Sequence, residues 1–292
     1  MKPDPSMVED VSWMSQMPPA RLIQIGVVVV FLVALYFAVL QDLAAEWLAE
    51  SSASHGLLIP PLVIYLVWLR RRSILEQPAQ PTGKGLWAIA FGCLMFLVGR
   101  LGAEFFLSRI SFVIVVTGLI WTFWGPARLK KFGFPLVLLA TMVPLPVLVW
   151  NALASPLQLF ASDMATTLAQ ALGVAIYRDG NIIHLANISL GVAEACSGLH
   201  SLSALMIASL LLGFLMLASI WLRAVLFAIS IPMAIALNVA RITGTAVMAD
   251  YWQDIAFGFY HSFSGWLIFV FGFLGLWLIG RGVQRFERKA DQ

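Results

Sequence analysis

The chain has 292 residues, of which 61% are hydrophobic and 11% charged, with a mean hydropathy of +0.90 and a formal net charge of +3. No soluble domain of that length hides so much apolar surface, so the composition is that of a polytopic membrane protein. The small basic excess gives no nucleic-acid reading, because topology places it, and two cysteines exclude a disulfide framework.

In chain order, residues 1–20 are polar and proline-containing and read as a cytoplasmic leader, not a signal peptide. Apolar runs near the ~20 residues that cross a bilayer follow at about 22–40, 56–69, 85–99, 109–125, 133–151, 199–219, 222–240 and 262–280. The expected fold is therefore all-α, with about eight transmembrane helices forming a single domain over 21–281 and a basic cytoplasmic tail at 282–292. With eight spans, all but Arg100, Arg109, Arg178 and Arg241 of the 18 Lys and Arg residues fall on one side, together with both termini. The positive-inside rule makes that side cytoplasmic. Arg100 and Arg109 then flank a short outer loop, with Glu104 as counter-charge.

The outer segment at 152–198 is the only sizeable piece outside the spans. Leu157, Leu159, Phe160, Met164, Leu168 and Leu172 have the spacing of an amphipathic helix lying on the outer surface. A small β-meander is expected next: Val174 to Arg178, an Asp179-Gly180 turn, Asn181 to Leu185, and Ile188 to Val192. It delivers the chain to Glu194-Ala195-Cys196-Ser197-Gly198-Leu199-His200-Ser201, a polar window at the head of the sixth span.

Cys196 would sit at a helix N-terminus, where free N–H groups and the helix dipole favour a thiolate. Arg241 lies 18 residues past Arg223, roughly 27 Å along a helix, and His261 lies 20 residues before Arg281, roughly 30 Å. A hydrocarbon core is about 30 Å thick. Thiol, guanidinium and imidazole thus share one depth near the outer interface. Cys196 can act as nucleophile, Arg241 as stabiliser of an oxyanion or of the thiolate, and His261 as acid and base. Glu194 is a partner for Arg241, Gly198 allows close substrate approach, and Ser197 opens the helix. His200 competes with His261, being one turn from Cys196. His55 is also on the outer side, His184 reads as a strand residue, and Cys93 reads as buried packing. A cysteine or an interfacial arginine in such positions is also commonly structural. A non-enzymatic permease or assembly scaffold for polysaccharide or protein export therefore remains the rival reading.

The stretch Glu194 to Ser201, with Asn238-Val-Ala-Arg-Ile242 and His261-Ser-Phe-Ser-Gly-Trp266, resembles the exosortase/archaeosortase family. Ser54-His-Gly-Leu-Leu-Ile-Pro60, Pro144-Leu-Pro146 and Pro156-Leu-Gln158 add to the likeness, which runs from about Gln41 to Gly280. The resemblance implies a cysteine protease/transpeptidase of the bacterial inner membrane with Cys196, Arg241 and His261 as its catalytic set, which lifts His261 over His200. It implies as partners exported proteins ending in a Pro-Glu-Pro-like (PEP-CTERM) motif, one span and a basic tail. Cleavage would be at the outer face through a thioester, often linked to extracellular polysaccharide, with a polysaccharide or lipid-linked molecule among the possible acceptors. Glu194, Asn238 and His55 are near enough to read the motif. No metal or organic cofactor is required, and membrane lipid surrounds the whole.

Overall fold

The computed structural model describes residues 19–50, 53–186, 188–191, 199–252 and 261–290, and of residues 19–22, 199–201, 261–262 and 289–290 only the backbone. The expected leader, apart from its last two residues, and the window from Glu194 to Gly198 lie outside the described residues. The helices are α1 (Pro19–Ala49), α2 (Ile59–Leu69), a short α3 (Arg71–Leu75), α4 (Gly85–Leu101), α5 (Phe105–Ala140), α6 (Val147–Ala171), α7 (Leu199–Met216), α8 (Ile220–Tyr251) and α9 (His261–Ala290). Three strands, β1 (Tyr177–Asp179), β2 (Ile182–His184) and β3 (Ser189–Gly191), lie between α6 and α7.

By length and composition, four stretches suffice to cross a membrane: Ile23–Ala49, Phe105–Ala140, Ile220–Tyr251 and Phe263–Arg288. Ser54–Leu69, Gly85–Leu101 and Leu202–Met216 are shorter apolar helices. Helix α5 is two limbs, because Gly125 has φ 79° and ψ 179° in its middle. A side chain there would collide with the Gln80 backbone, so only glycine serves.

The fifth apolar run, expected as one span over 133–151, is not one helix. The second limb of α5 ends at Ala140, a turn with Pro144 and Pro146 follows, and α6 starts at Val147. Proline biases its predecessor away from helical backbone, which breaks the run. The Trp47 indole N–H donates to the Met142 carbonyl at 3.0 Å, satisfying one group the break exposes.

Helix α6 carries the expected apolar stripe on an exposed face and packs by another. Its buried face is the small one, Ala154, Ala161, Ser162, Ala165, Thr166 and Ala169, while Leu159, Phe160, Met164, Leu168 and Leu172 are exposed. The alanine face packs with Val174, Ile176, Ile183 and Leu190 against Val239, Ile242 and Ala246 of α8. Small residues let backbones approach closely, whereas large apolar ones are equally content in lipid.

Helices α4 and α5 repeat the device. Gly85, Gly92 and Gly99 recur at seven-residue spacing on the buried face of α4. A Cβ at Gly92 would lie 2.6 Å from Val115 Cγ2 of α5. This overturns the reading of Cys93 as buried: Gly92 takes the contact, and the next residue, turned by about 100°, is exposed. Glu104 is likewise not the counter-charge of Arg109. Its carboxylate accepts the N–H groups of Phe106 and Leu107 and caps α5. Arg109 is buried and pairs across to Glu46 of α1 at 2.5 Å.

The three-stranded meander is present as expected, with Asp179 in its first strand and the turn one residue later than the expected Asp179-Gly180. Strands β1 and β2 pair antiparallel around Gly180-Asn181, and β3 pairs with β2. His184 is a strand residue, stacked on Tyr177 with its Nδ1 2.7 Å from Ser189 Oγ.

The basic clusters gather at one end of the bundle. Arg70, Lys130, Lys131 and Arg223 line one cavity. Arg128 donates to the carbonyls of Leu75 and Gln77. Near the end of α9, Gln284 donates to the Met216 carbonyl, and Glu287 accepts the Ala218 and Ser219 N–H groups.

Replacing Glu46 by Gln is expected to strand the Arg109 guanidinium. The cost should be roughly 1–3 kcal/mol, less than for a fully buried pair because Glu46 keeps part of its surface exposed. The double substitution Glu46→Gln/Arg109→Met should recover part of the loss, read as the midpoint shift of thermal unfolding in detergent.

Candidate functional site

Helices α7, α8 and α9 pack on one another around Leu205, Leu226, Ala234 and Leu276. Their closest level is set by Gly272 of α9, where a Cβ would lie 2.7 Å from Leu205 Cδ1 and 3.0 Å from Leu237 Cδ1. From that level α7 and α9 run toward the basic end, and α8 runs the other way. The beginnings of α7 and α9 and the later part of α8 therefore point to the same end, away from the basic cavity.

Heights follow from the 1.5 Å rise per residue. Arg241 stands four residues beyond Leu237, about 6 Å up. Leu199 stands six residues before Leu205, about 9 Å, and Ser264 eight before Gly272, about 12 Å. His261, whose side chain is not described, opens α9 at about 16 Å. An extended arginine side chain covers the interval from its backbone to Ser264.

Helix α8 sorts its side chains by face. Val239, Ile242 and Ala246 turn to α6 and the sheet. Asn238, Arg241 and Thr245 occupy an adjacent polar stripe, with Asn238 only 2% exposed. Thr245 Oγ1 donates to the Arg241 carbonyl. The Arg241 side chain reaches α9, where its Nε donates to Ser264 Oγ at 3.3 Å. Ser264 is buried. The guanidinium lies flat over Gly265, whose added Cβ would stand 3.3 Å from Nη2 and 3.5 Å from Cζ. An intramembrane arginine is costly unless held and used. Here it is held by the first turn of the helix that His261 begins.

The structure thus brings Arg241 together with Ser264 and Gly265, three and four residues after His261. It places His55, half-buried, on a 3-10 turn (Ser54–Leu58) that packs on α1 and α2, in the other half of the molecule. Glu194, Cys196, Ser197 and Gly198 lie outside the described residues; Cys196 stands five residues after Gly191 and three before Leu199. Among the described residues no group of three or more His, Cys, Asp or Glu side chains is placed to hold a metal ion.

A family model described as a transmembrane exosortase matches residues 47–278. The chain belongs to that family. The match covers more than half of the chain, and includes the window around Cys196, the polar stripe of α8 and the first turn of α9. It supports a membrane transpeptidase-type role. No curated protein and no solved structure matches the chain.

Ser264 and Gly265 are the residues that sequence reasoning did not single out for a role. The signal was available: they stand one helical turn after His261, on the face an antiparallel neighbour must meet.

Two substitutions test the seat of Arg241. Gly265→Ala should push the guanidinium a few tenths of an ångström from its seat and cut transpeptidase turnover about threefold or more, with little change in folded yield. Arg241→Lys keeps the charge and loses the planar donor fork, and should lose at least as much. Turnover at the wild-type level in Gly265→Ala protein would show that this seat does not matter.

Proposed function

We propose that the protein is a membrane-embedded cysteine protease/transpeptidase that acts on C-terminal sorting tails. Its substrates would be exported proteins ending in a Pro-Glu-Pro-like motif, one span and a basic segment. The observation that carries this reading is the seating of the Arg241 guanidinium on the first turn of the helix that begins at His261. A charged group held in an apolar bundle, beside the segment bearing a histidine and at the end where the Cys196 segment joins α7, is suited to acyl transfer.

In this reading the chain has eight spans in the bacterial inner membrane, both termini are cytoplasmic, and the site faces outward. The gathering of Arg70, Lys130, Lys131 and Arg223 at one end supports that orientation through the positive-inside rule. The substrate's span lies against the bundle with its basic tail cytoplasmic, so binding itself sets the scissile bond at the depth of Arg241.

The Cys196 thiolate attacks the scissile carbonyl carbon, and its π electrons move to oxygen. Arg241 stabilises that oxyanion. The C–N bond breaks, and the departing tail amine takes a proton from the His261 imidazolium. A thioester joins the exported protein to Cys196. His261, now neutral, removes a proton from an acceptor amine or from water as it attacks the thioester, and the thiolate leaves. Hydrolysis releases the protein; transfer joins it to an acceptor, for which an extracellular polysaccharide or lipid-linked carrier is suitable.

Co-expression with a reporter carrying such a tail gives the test. Wild type should remove the tail, and Cys196→Ala should leave it intact at equal expression, as read by intact mass. Cys196→Ser keeps the shape and should lose most of the rate. Cys93→Ser, at an exposed position on α4, should process normally. Equal processing by wild type and Cys196→Ala would overturn the reading and leave a cargo-binding scaffold.

A further inference from the structure

At the basic end, a cavity of about 600 Å³ opens on the seam between the two halves of the molecule. The N-terminal half contributes residues from Arg70 to Ile74 and from the second limb of α5, and the C-terminal half contributes residues of α7 and α8. Beside it Phe134 stacks on Phe214 across the seam, with centroids 3.8 Å apart and planes 8° from parallel. The sequence marks these basic residues only as topology signals, yet the fold brings four of them from three separate segments into one place.

That convergence is electrostatically unfavourable by itself. Arg70 and Arg223 both reach the same Phe214 ring, with Cζ 4.0 Å and 5.5 Å from its centroid. Burial, and then the charge of Arg223, push the Arg70 pKa below its ordinary value. Lys130 and Lys131 add two more charges at the rim. The described residues that line the cavity include no carboxylate. Glu287 stands on the α9 side of Arg223 and is the one nearby carboxylate whose charge meets that guanidinium among the described residues, while its two oxygens accept the Ala218 and Ser219 N–H groups. Arg223 also donates to the Leu217 and Ala218 carbonyls, which fixes its position. Four cations against that single carboxylate, which does not line the cavity, leave an excess of positive charge that an anion in the cavity would meet.

The rest of the lining says which kind. Apart from the four cations and Ser73, it is apolar or glycine, with Phe134 and Phe214 at the seam. Inorganic phosphate would meet the charges and leave the apolar surface uncovered. The basic end of a sorting tail would be repelled. A molecule with a phosphate at one end and hydrocarbon at the other covers both surfaces.

We propose that this cavity is a binding site for an anionic phospholipid, with the phosphate held by Arg70, Lys130, Lys131 and Arg223 and an acyl chain lying against Phe134 and Phe214. The lipid fills the seam and joins the two halves at the end opposite Arg241. The site goes beyond the cysteine chemistry; only its assignment to the cytoplasmic leaflet rests on the orientation proposed above.

The test is native mass spectrometry of the full chain released from nanodiscs containing equal phosphatidylglycerol and phosphatidylcholine. Wild type should keep phosphatidylglycerol at least tenfold over phosphatidylcholine. Lys130→Gln/Lys131→Gln, at two exposed positions, should cut that retention about tenfold with unchanged circular dichroism. Lys130→Arg/Lys131→Arg should keep it. Equal retention of the two lipids, or a glutamine variant that binds like wild type, overturns the proposal. So does an arginine variant that loses the lipid as the glutamine one does, since charge would not be the cause. Inorganic phosphate at millimolar concentration that raises the melting temperature as much as phosphatidylglycerol does also overturns it, in favour of a free-anion site. Every readout is independent of Cys196, so failure here leaves the catalytic reading untouched.

Discussion

Where the helices approach most closely, small side chains face the neighbour and large apolar ones turn outward, and the packing there depends on this sorting. In water, burying leucine and phenylalanine drives association; in hydrocarbon they gain little by it, and close packing takes over. Gly85, Gly92 and Gly99 seat α4 on α5, Ala161, Ala165 and Ala169 seat α6 on α8, and Gly272 lets α7, α8 and α9 meet at one level. The exposed residues Phe31, Phe91, Trp87 and Phe160 are in keeping with a lipid-facing surface.

Against this background several buried polar groups have specific arrangements. Tyr36 and Ser111 share a hydrogen bond at 2.9 Å. Arg109 pairs with Glu46, and the Trp47 indole holds the carbonyl that the α5–α6 break exposes. Ser209 and Ser230 meet at 3.3 Å between α7 and α8. In a medium of low dielectric such bonds are costly to leave unmade, so they select one packing among the many that apolar surfaces alone would tolerate.

Arg241 belongs to a different class. A serine hydroxyl and a glycine surface give its guanidinium a defined position. That state suits a group whose task is to meet negative charge developing during a reaction. The same logic at the opposite end gives Arg70, Lys130, Lys131 and Arg223 a standing attraction for an anion. The two ends are chemically distinct, and the three-helix packing around Gly272 holds them apart.

Much of this was legible from the chain alone. Hydropathy identified the membrane class, the Asp179-Gly180 turn and its flanking residues identified the meander, and the 18-residue interval from Arg223 to Arg241 located the guanidinium away from the basic end. These properties are local or follow from helical rise, so no tertiary knowledge was needed. What hydropathy cannot show is which apolar residues face a neighbour, since leucine and glycine both score as compatible with a bilayer. The small-residue face of α6, the outward turn of Cys93, the pairing of Arg109 with Glu46 rather than beside Glu104, and the ending of the fifth run at Ala140 were therefore decided by tertiary packing. So was the seat of Arg241 on Ser264 and Gly265, because it depends on the rotation of two helices about their axes, which only their close contact at Gly272 determines.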